Sequence, residues 1–379
     1  MNGRVMDPET QTDRVANVGI RQGQIARITS DNIKGKQLID ARGLVVAPGF
    51  IDIHSHTPTR LGEHLSILDG ITTQLDLEAG SYPPTSYGYQ YRGGAQLHYG
   101  SSVGHFAIRG LVMEGASQSY FFDETGFITL GGDMWRKQAT PAQVEAMRKH
   151  LRNGLDLGGL GIGVLLDYMT EAVSESELSM IFATAAEYDK PVYVHVRRGM
   201  PGDPTGLDEI IALAESHGVA TLICHITHSA MGGIEDWLLK ALAWPGMMVS
   251  TDALPAFDIE VKTNPNIAGT YAQFLGRYVR ELKVMPLMEG LRRITLLPAQ
   301  WLALASDDFS RKGRIQVGAD ADIVIFDAGK ISPQAQYGDP YKASQGIYHV
   351  LVGGRPVVTD GEQVEGRYPG KHLLAPTAR

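Results

Sequence analysis

Four histidines and two acids stand where apolar runs of the chain give out. FIDIHSH ends in His54 and His56, ITTQLDLE in Glu78, VYVHVR carries His195, TLICHI carries His225, and MMVSTD closes on Asp252. Neutral imidazole nitrogens and carboxylates are the ligand types that zinc prefers. Any one of these histidines could be a core imidazole satisfied by a neighbouring carbonyl. Four of them, with His54 and His56 at i and i+2 on one face, would each need a separate buried partner, whereas a shared divalent cation satisfies them together. The same cation removes a difficulty in ITTQLDLEAG, where Asp76 and Glu78 face one side of a strand and would otherwise repel. Glu78, closer to the end of the run, is the candidate ligand. Asp76, one pleat deeper, is placed to accept a hydrogen bond from a ligating imidazole.

The elements that must carry these residues follow from periodicity. Between about residues 48 and 312 the strand candidates are FIDIHSH, ITTQLDLE, SSVGHFAIR, LGIGVLL, VYVHVR, TLICHI and MMVSTDA. Between them, TPAQVEAMRKHLRNGLD, SESELSMIFATAAEYD and LDEIIALAESHG have apolar residues at helical spacing, and TPAQ and SESE have the pattern of helix starts. Repeated β-α units imply a parallel sheet, and this many favour a closed TIM-like (β/α) barrel. Only seven strands are evident, so the barrel is expected to be distorted or one strand short. Barrel active sites lie at the C-terminal ends of the strands, where the histidines and acids fall. Residues 1–47 and 313–379 instead show short β-rich runs broken by Gly-Gly and Asp-Gly pairs. They are expected to form one small β-sandwich domain from both chain ends, with the barrel over 48–312.

With these residues in place, APGFIDIHSH, the single histidines after the fifth and sixth strands and the aspartate after the last resemble the amidohydrolase superfamily. VVAPGFID and GRIQVGADADIVIFD look like its sandwich flanks. GITT, VGHFAIR, GIGVLLDY, HVR, GTYAQFLGRYVRE and LPAQWLAL are most similar to its D-aminoacylase (N-acyl-D-amino-acid deacylase) branch. Three departures stand out. That branch typically has a cysteine as bridging ligand after the second strand, where this chain has Glu78 and no cysteine before Cys224. LGIGVLLDY has no lysine to carboxylate. Only MGGIEDWLLKALAWPGMM separates the sixth strand from the aspartate-bearing one, so the seventh strand and its long insertion are reduced or absent.

The resemblance implies hydrolysis of the amide bond of N-acyl amino acids, D-configured, by a water that the metal activates. Cyclic amide or lactam opening, or a dipeptidase, is the alternative within the superfamily; a non-catalytic binding protein on the same scaffold is the alternative outside it. The expected cofactor is one or two Zn2+, with Mn2+ or Fe2+ as substitutes. Glu78, His195 and His225 would hold one metal, and His54 and His56 a second, with Glu78 bridging. Asp252 would serve as general base and then general acid; its other reading is a helix N-cap. Arg109 and Arg197 would bind the substrate carboxylate or form structural ion pairs. Tyr168 would hydrogen-bond substrate or pack, and His228 would donate to the oxyanion or sit in a loop. The Tyr/Gly/Pro-rich segment 80–100 is a lid, a pocket wall or a surface excursion. Cys224, next to a ligand, is expected to point away from it as a buried inert thiol.

Composition narrows the partners. With 379 residues, a hydrophobic fraction of 43% and a net charge of −8, a folded protein is expected and a phosphate-backbone partner is not. A small-molecule substrate is expected instead. The N-terminal MNGRVMDPETQTDRV has no apolar leader core, and no run approaches the roughly 18 apolar residues of a membrane span, so a cytoplasmic setting is the default. A single cysteine excludes intrachain disulfides.

Overall fold

In the computed structural model, residues 1–123, 126–128, 131–197, 199–200, 202–225 and 234–376 are described. Six parallel strands form one sheet in chain order: Phe50–Asp52, Ile71–Ser81, His98–Gly104, Ile162–Leu165, Val192–His195 and Thr221–Cys224. They are the first six strands of a TIM-like barrel. The seventh expected strand, MMVSTDA, is not a regular strand. Its end runs beside the first strand's extension, with Asp252 N donating to the His54 carbonyl at 2.8 Å and His56 N to Ala253 O at 2.9 Å. Asp52, buried beneath, accepts from Thr251 Oγ1 at 2.6 Å and Thr251 N at 3.2 Å. This closing segment therefore reaches the first strand without a seventh strand ahead of it among the described residues. The Tyr271 hydroxyl donates to the carbonyls of Ile51 and Val249 at 3.1 and 3.2 Å, satisfying backbone acceptors at the same seam.

Helices cover the sheet where their start signals predict. Thr140 caps Pro141–Asp156 in a full capping box with Gln143, and Ser174 caps Glu175–Glu187 by accepting from Glu177 N. Thr205–His217 follows the fifth strand and ends at Gly218, whose φ of 65° suits a residue without Cβ. One expectation changes. SSVGHFAIR is not a strand throughout: pairing stops at Gly104, which caps the helix His105–Glu114, so Arg109 lies on that helix.

Both chain ends interleave in a second sheet of eight strands. Its order is Glu362–Gln363, Arg355–Thr359, Ile347–Val352, Ile323–Phe326, Val45–Pro48, Gly3–Asp7, Thr12–Arg21 and Gln24–Thr29. Alternation gives it two apolar faces. Val46, Ile323 and Ile325 join a core with Val5, Ala16 and Ile25, whereas Val45, Ala47, Val324 and Phe326 pack with Phe50, Ile71 and Tyr271 of the barrel. At this junction buried Asp322 takes Lys312 Nζ at 2.6 Å, Gly353 N at 2.7 Å and His98 Nε2 at 3.2 Å, tying the third barrel strand to the terminal sheet. Among the described residues no helix is long and apolar enough to cross a membrane.

Candidate metal centre

Four imidazoles, Glu78 and Asp252 meet at the C-terminal rim of the sheet. Glu78 lies near the C-terminal end of a strand buried along its whole length and presents its two oxygens to two different pairs of rings. Oε1 lies 3.1 Å from His195 Nδ1 and 2.8 Å from His225 Nε2. Oε2 lies 3.2 Å from His54 Nε2 and 3.4 Å from His56 Nε2. Asp252 faces the cluster from the closing segment, with Oδ1 3.4 and 3.5 Å from His54 and His56 Nε2 and Oδ2 3.5 Å from His225 Nδ1.

The donor set fits a divalent cation on two counts. Ligand atoms of His54, Glu78 and His225, and again of His54, His56 and Asp252, lie within 4.8 Å of one another. Glu78 Oε1 is also fully buried and accepts no hydrogen bond, although two ring nitrogens stand close to it. A cation held among these nitrogens and oxygens would satisfy the buried Oε1. Electrostatics agrees. Burial by itself would raise the Glu78 carboxyl, but His54, His195 and His225 outweigh it and hold the group well below the usual carboxylate range. Asp252 behaves alike: burial opposes ionisation, yet His56, His54 and His225 keep its carboxyl below the ordinary value.

Local backbone aims these groups. His225 and Asp252 both adopt left-handed conformations, with φ of 53° and 47°. Such residues are uncommon outside glycine and concentrate where a side chain must be re-aimed. At His225 the consequence corrects the expectation for Cys224. The strand ends at Cys224 and alternation does not continue across the next residue, so the thiol meets His54 instead of pointing away. Burial pushes this thiol up, despite His54 beside it.

Asp76 takes the supporting place expected of it. His56 Nδ1 lies 2.8 Å from Asp76 Oδ2, leaving Nε2 to face the cluster. Two contributors carried no sequence signal. Tyr120, in the loop after the third-strand helix, donates its hydroxyl to the same Asp76 oxygen. Asp167, after the fourth strand, places Oδ2 3.4 Å from His195 Nε2. Tyr168, half-exposed, stands edge-on to the His195 ring at 5.4 Å between centroids.

The two arginines are not brought to this cluster. Arg109 is fully buried, bound to both Glu177 oxygens through Nη1 at 2.5 Å and to the Met134, Lys137 and Ala172 carbonyls. Its donors are spent within the fold, and the substrate-binding expectation is withdrawn. Arg197 bonds Glu209 at 2.8 Å and the carbonyls of Thr170 and Val173, so it too serves as a structural pair. His228 lies outside the described residues. The segment 80–100 is largely buried and packs its Tyr87 ring edge-on against Tyr120 at 5.3 Å.

Comparison with known proteins finds relatives that span nearly the whole chain. An amidohydrolase family model matches residues 37–101 and 263–358. In these two segments the chain is similar to the amidohydrolase family. It is 23% identical to N-acyl-D-glutamate deacylase of Alcaligenes xylosoxydans xylosoxydans, with 93% of this chain and 91% of that one covered. To the same organism's D-aminoacylase it is 23% identical, over 99% of this chain and 97% of the other. That alignment runs over 485 positions, more than the 379 residues present, so gaps open in this chain where its relative carries extra sequence. Among solved structures, a D-aminoacylase described as defining a novel subset of amidohydrolases superposes with a TM-score of 0.81 at 20% identity, covering 98% of both chains. N-acyl-D-glutamate deacylase from Bordetella bronchiseptica, complexed with zinc and a phosphonate inhibitor, gives 0.77 at 22% identity, covering 99% of this chain and 98% of that one. These likenesses establish the fold.

Proposed function

We propose that this protein cleaves the amide bond of N-acyl amino acids of D configuration, with Zn2+ as its cofactor. The observation that carries the reading is Glu78, one carboxylate oxygen turned to His195 and His225 and the other to His54 and His56. The deacylases of D-amino-acid derivatives among its relatives support the substrate class, and the zinc complex among the solved structures supports the metal. When bound, a divalent cation supplies Lewis acidity, which brings a water's pKa near neutrality and favours negative charge on the scissile carbonyl oxygen.

The chain's own groups do the rest. Asp252, ionised and facing His54, His56 and His225, takes a proton from the attacking water as the C–O bond forms. It returns that proton to the nitrogen as the C–N bond breaks, so the products are a carboxylate and a free amino acid. Asp76 holds His56 in the tautomer that leaves Nε2 unprotonated. Tyr168, on the rim beside His195, offers a hydroxyl to the substrate.

The test is a turnover screen of paired D- and L-N-acetyl amino acids with zinc-loaded protein. Hydrolysis of D members in preference to their L partners is expected. No turnover of either enantiomer of any member would refute the deacylase reading.

A further inference from the structure

We infer that Tyr120 is a positioning residue for the His54/His56 side of the metal centre, acting through Asp76. The inference rests on the metal reading above and adds a residue to it. Asp76 is fully buried, and the four groups that hydrogen-bond its carboxylate among the described residues stand as donors. Oδ1 accepts from the backbone of Ala79 at 3.0 Å and Gly80 at 3.3 Å, while Oδ2 accepts from His56 Nδ1 and from the Tyr120 hydroxyl. An ionised carboxylate only accepts, so both the tyrosine O–H and the imidazole N–H must point at Oδ2. The tyrosine thus fixes the rotation of the carboxylate that fixes the ring, and His56 Nε2 is left as a lone pair towards Glu78 and Asp252.

The hydroxyl is itself held in place. Tyr120 is buried, with ring contacts to Tyr87 at 5.3 Å and Phe122 at 5.1 Å. Its neighbour Phe121 stands edge-on to the His56 ring at 5.6 Å, so the same loop bounds the imidazole from a second side. Phe122 continues into a contact with Phe257 at 4.6 Å, five residues beyond Asp252. One aromatic loop therefore braces both the support of His56 and the segment that carries the proposed base.

Removing an outer hydrogen-bond partner of a metal ligand typically costs about 10- to 100-fold in metal affinity. Tyr120 acts one bond further out, so about tenfold, the lower end, is expected for Tyr120→Phe. The experiment is titration of metal-free protein with zinc against a competing chromophoric chelator. His56→Ala identifies which binding step belongs to the His54/His56 position. Phe127→Leu, at an exposed ring of the same segment, perturbs it without touching Tyr120 or Asp76. Tyr120→Phe should weaken the step lost in His56→Ala about tenfold and leave the other step unchanged, with Phe127→Leu like wild type. Unchanged titration of Tyr120→Phe, or equal weakening of both steps shared with Phe127→Leu, overturns the inference while the metal reading stands. Wild-type protein that takes up no zinc overturns both.

Discussion

Replacing Asp252 by asparagine should remove proton transfer while leaving the fold and the metal ligands in place. The choice of asparagine comes from the backbone. Asp252 has a φ of 47°, a region that Asn and Asp tolerate, whereas alanine there would add roughly 1–2 kcal/mol of strain and blur the result. The side chain lies 3.4–3.5 Å from His54, His56 and His225, farther than the 2.8 Å of the closest Glu78 contact, so Glu78 and the four histidines should retain zinc. A positioned general base contributes about 10²–10⁴ in rate, or about 3–5 kcal/mol of barrier at 1.36 kcal/mol per tenfold. The assay is steady-state hydrolysis of an N-acyl-D-amino acid, with zinc content measured on the same preparation. A kcat lowered by at least a hundredfold at unchanged zinc content is expected. A kcat within tenfold of wild type, with zinc retained, would refute the assignment of Asp252 as the base.

Three further outcomes follow from the packing. Arg109→Ala leaves Glu177 buried without its guanidinium and should cost about 3–5 kcal/mol in chemical denaturation; a variant that keeps its stability but loses substrate affinity would restore Arg109 to substrate binding. Lys312→Met strands Asp322 at the junction of the two sheets and should cost a similar ~3–5 kcal/mol, read as an earlier denaturation midpoint. Asp322 also gives a pH dependence. Burial opposes its charge, but Lys312 and His98 depress its pKa far below the unfolded value of about 3.9, so its contribution is present above that pH and lost as the pH falls below it. Acid unfolding of Lys312→Met should therefore be shallower below pH 4 than that of wild type, and identical acid transitions would contradict the pairing.

The convergence of His54, His56, Glu78, His195 and His225 was legible because each stands at or just past the end of an apolar run, and a parallel barrel sends those ends to one rim. Thr140 and Ser174 announced their helices for an equally local reason, a cap followed by an acid or amide three residues on. What escaped depended on contacts between distant segments. Tyr120 lies in a loop and Asp167 in a single 3-10 turn, neither long enough to show periodicity, and only the folded chain brings them to Asp76 and His195. Cys224 was misdirected because strand alternation was carried one residue too far, across a positive φ that a histidine code does not advertise. Arg109 was taken for a strand-end cation because Gly104 stops the strand and starts a helix within one apolar run. The reduced seventh strand was visible as a shortage of residues, but the way Asp52 and Tyr271 secure the resulting seam was not.

The central claim is that Glu78 is the shared anionic ligand of the centre. Crystals of the zinc-loaded protein, measured with anomalous scattering at the zinc absorption edge, test it most directly. Density for zinc is expected within bonding distance of a Glu78 oxygen, about 2.0–2.2 Å, with His54 and His56 or His195 and His225 completing its shell. Zinc bound at the histidines with Glu78 beyond coordination distance would contradict it.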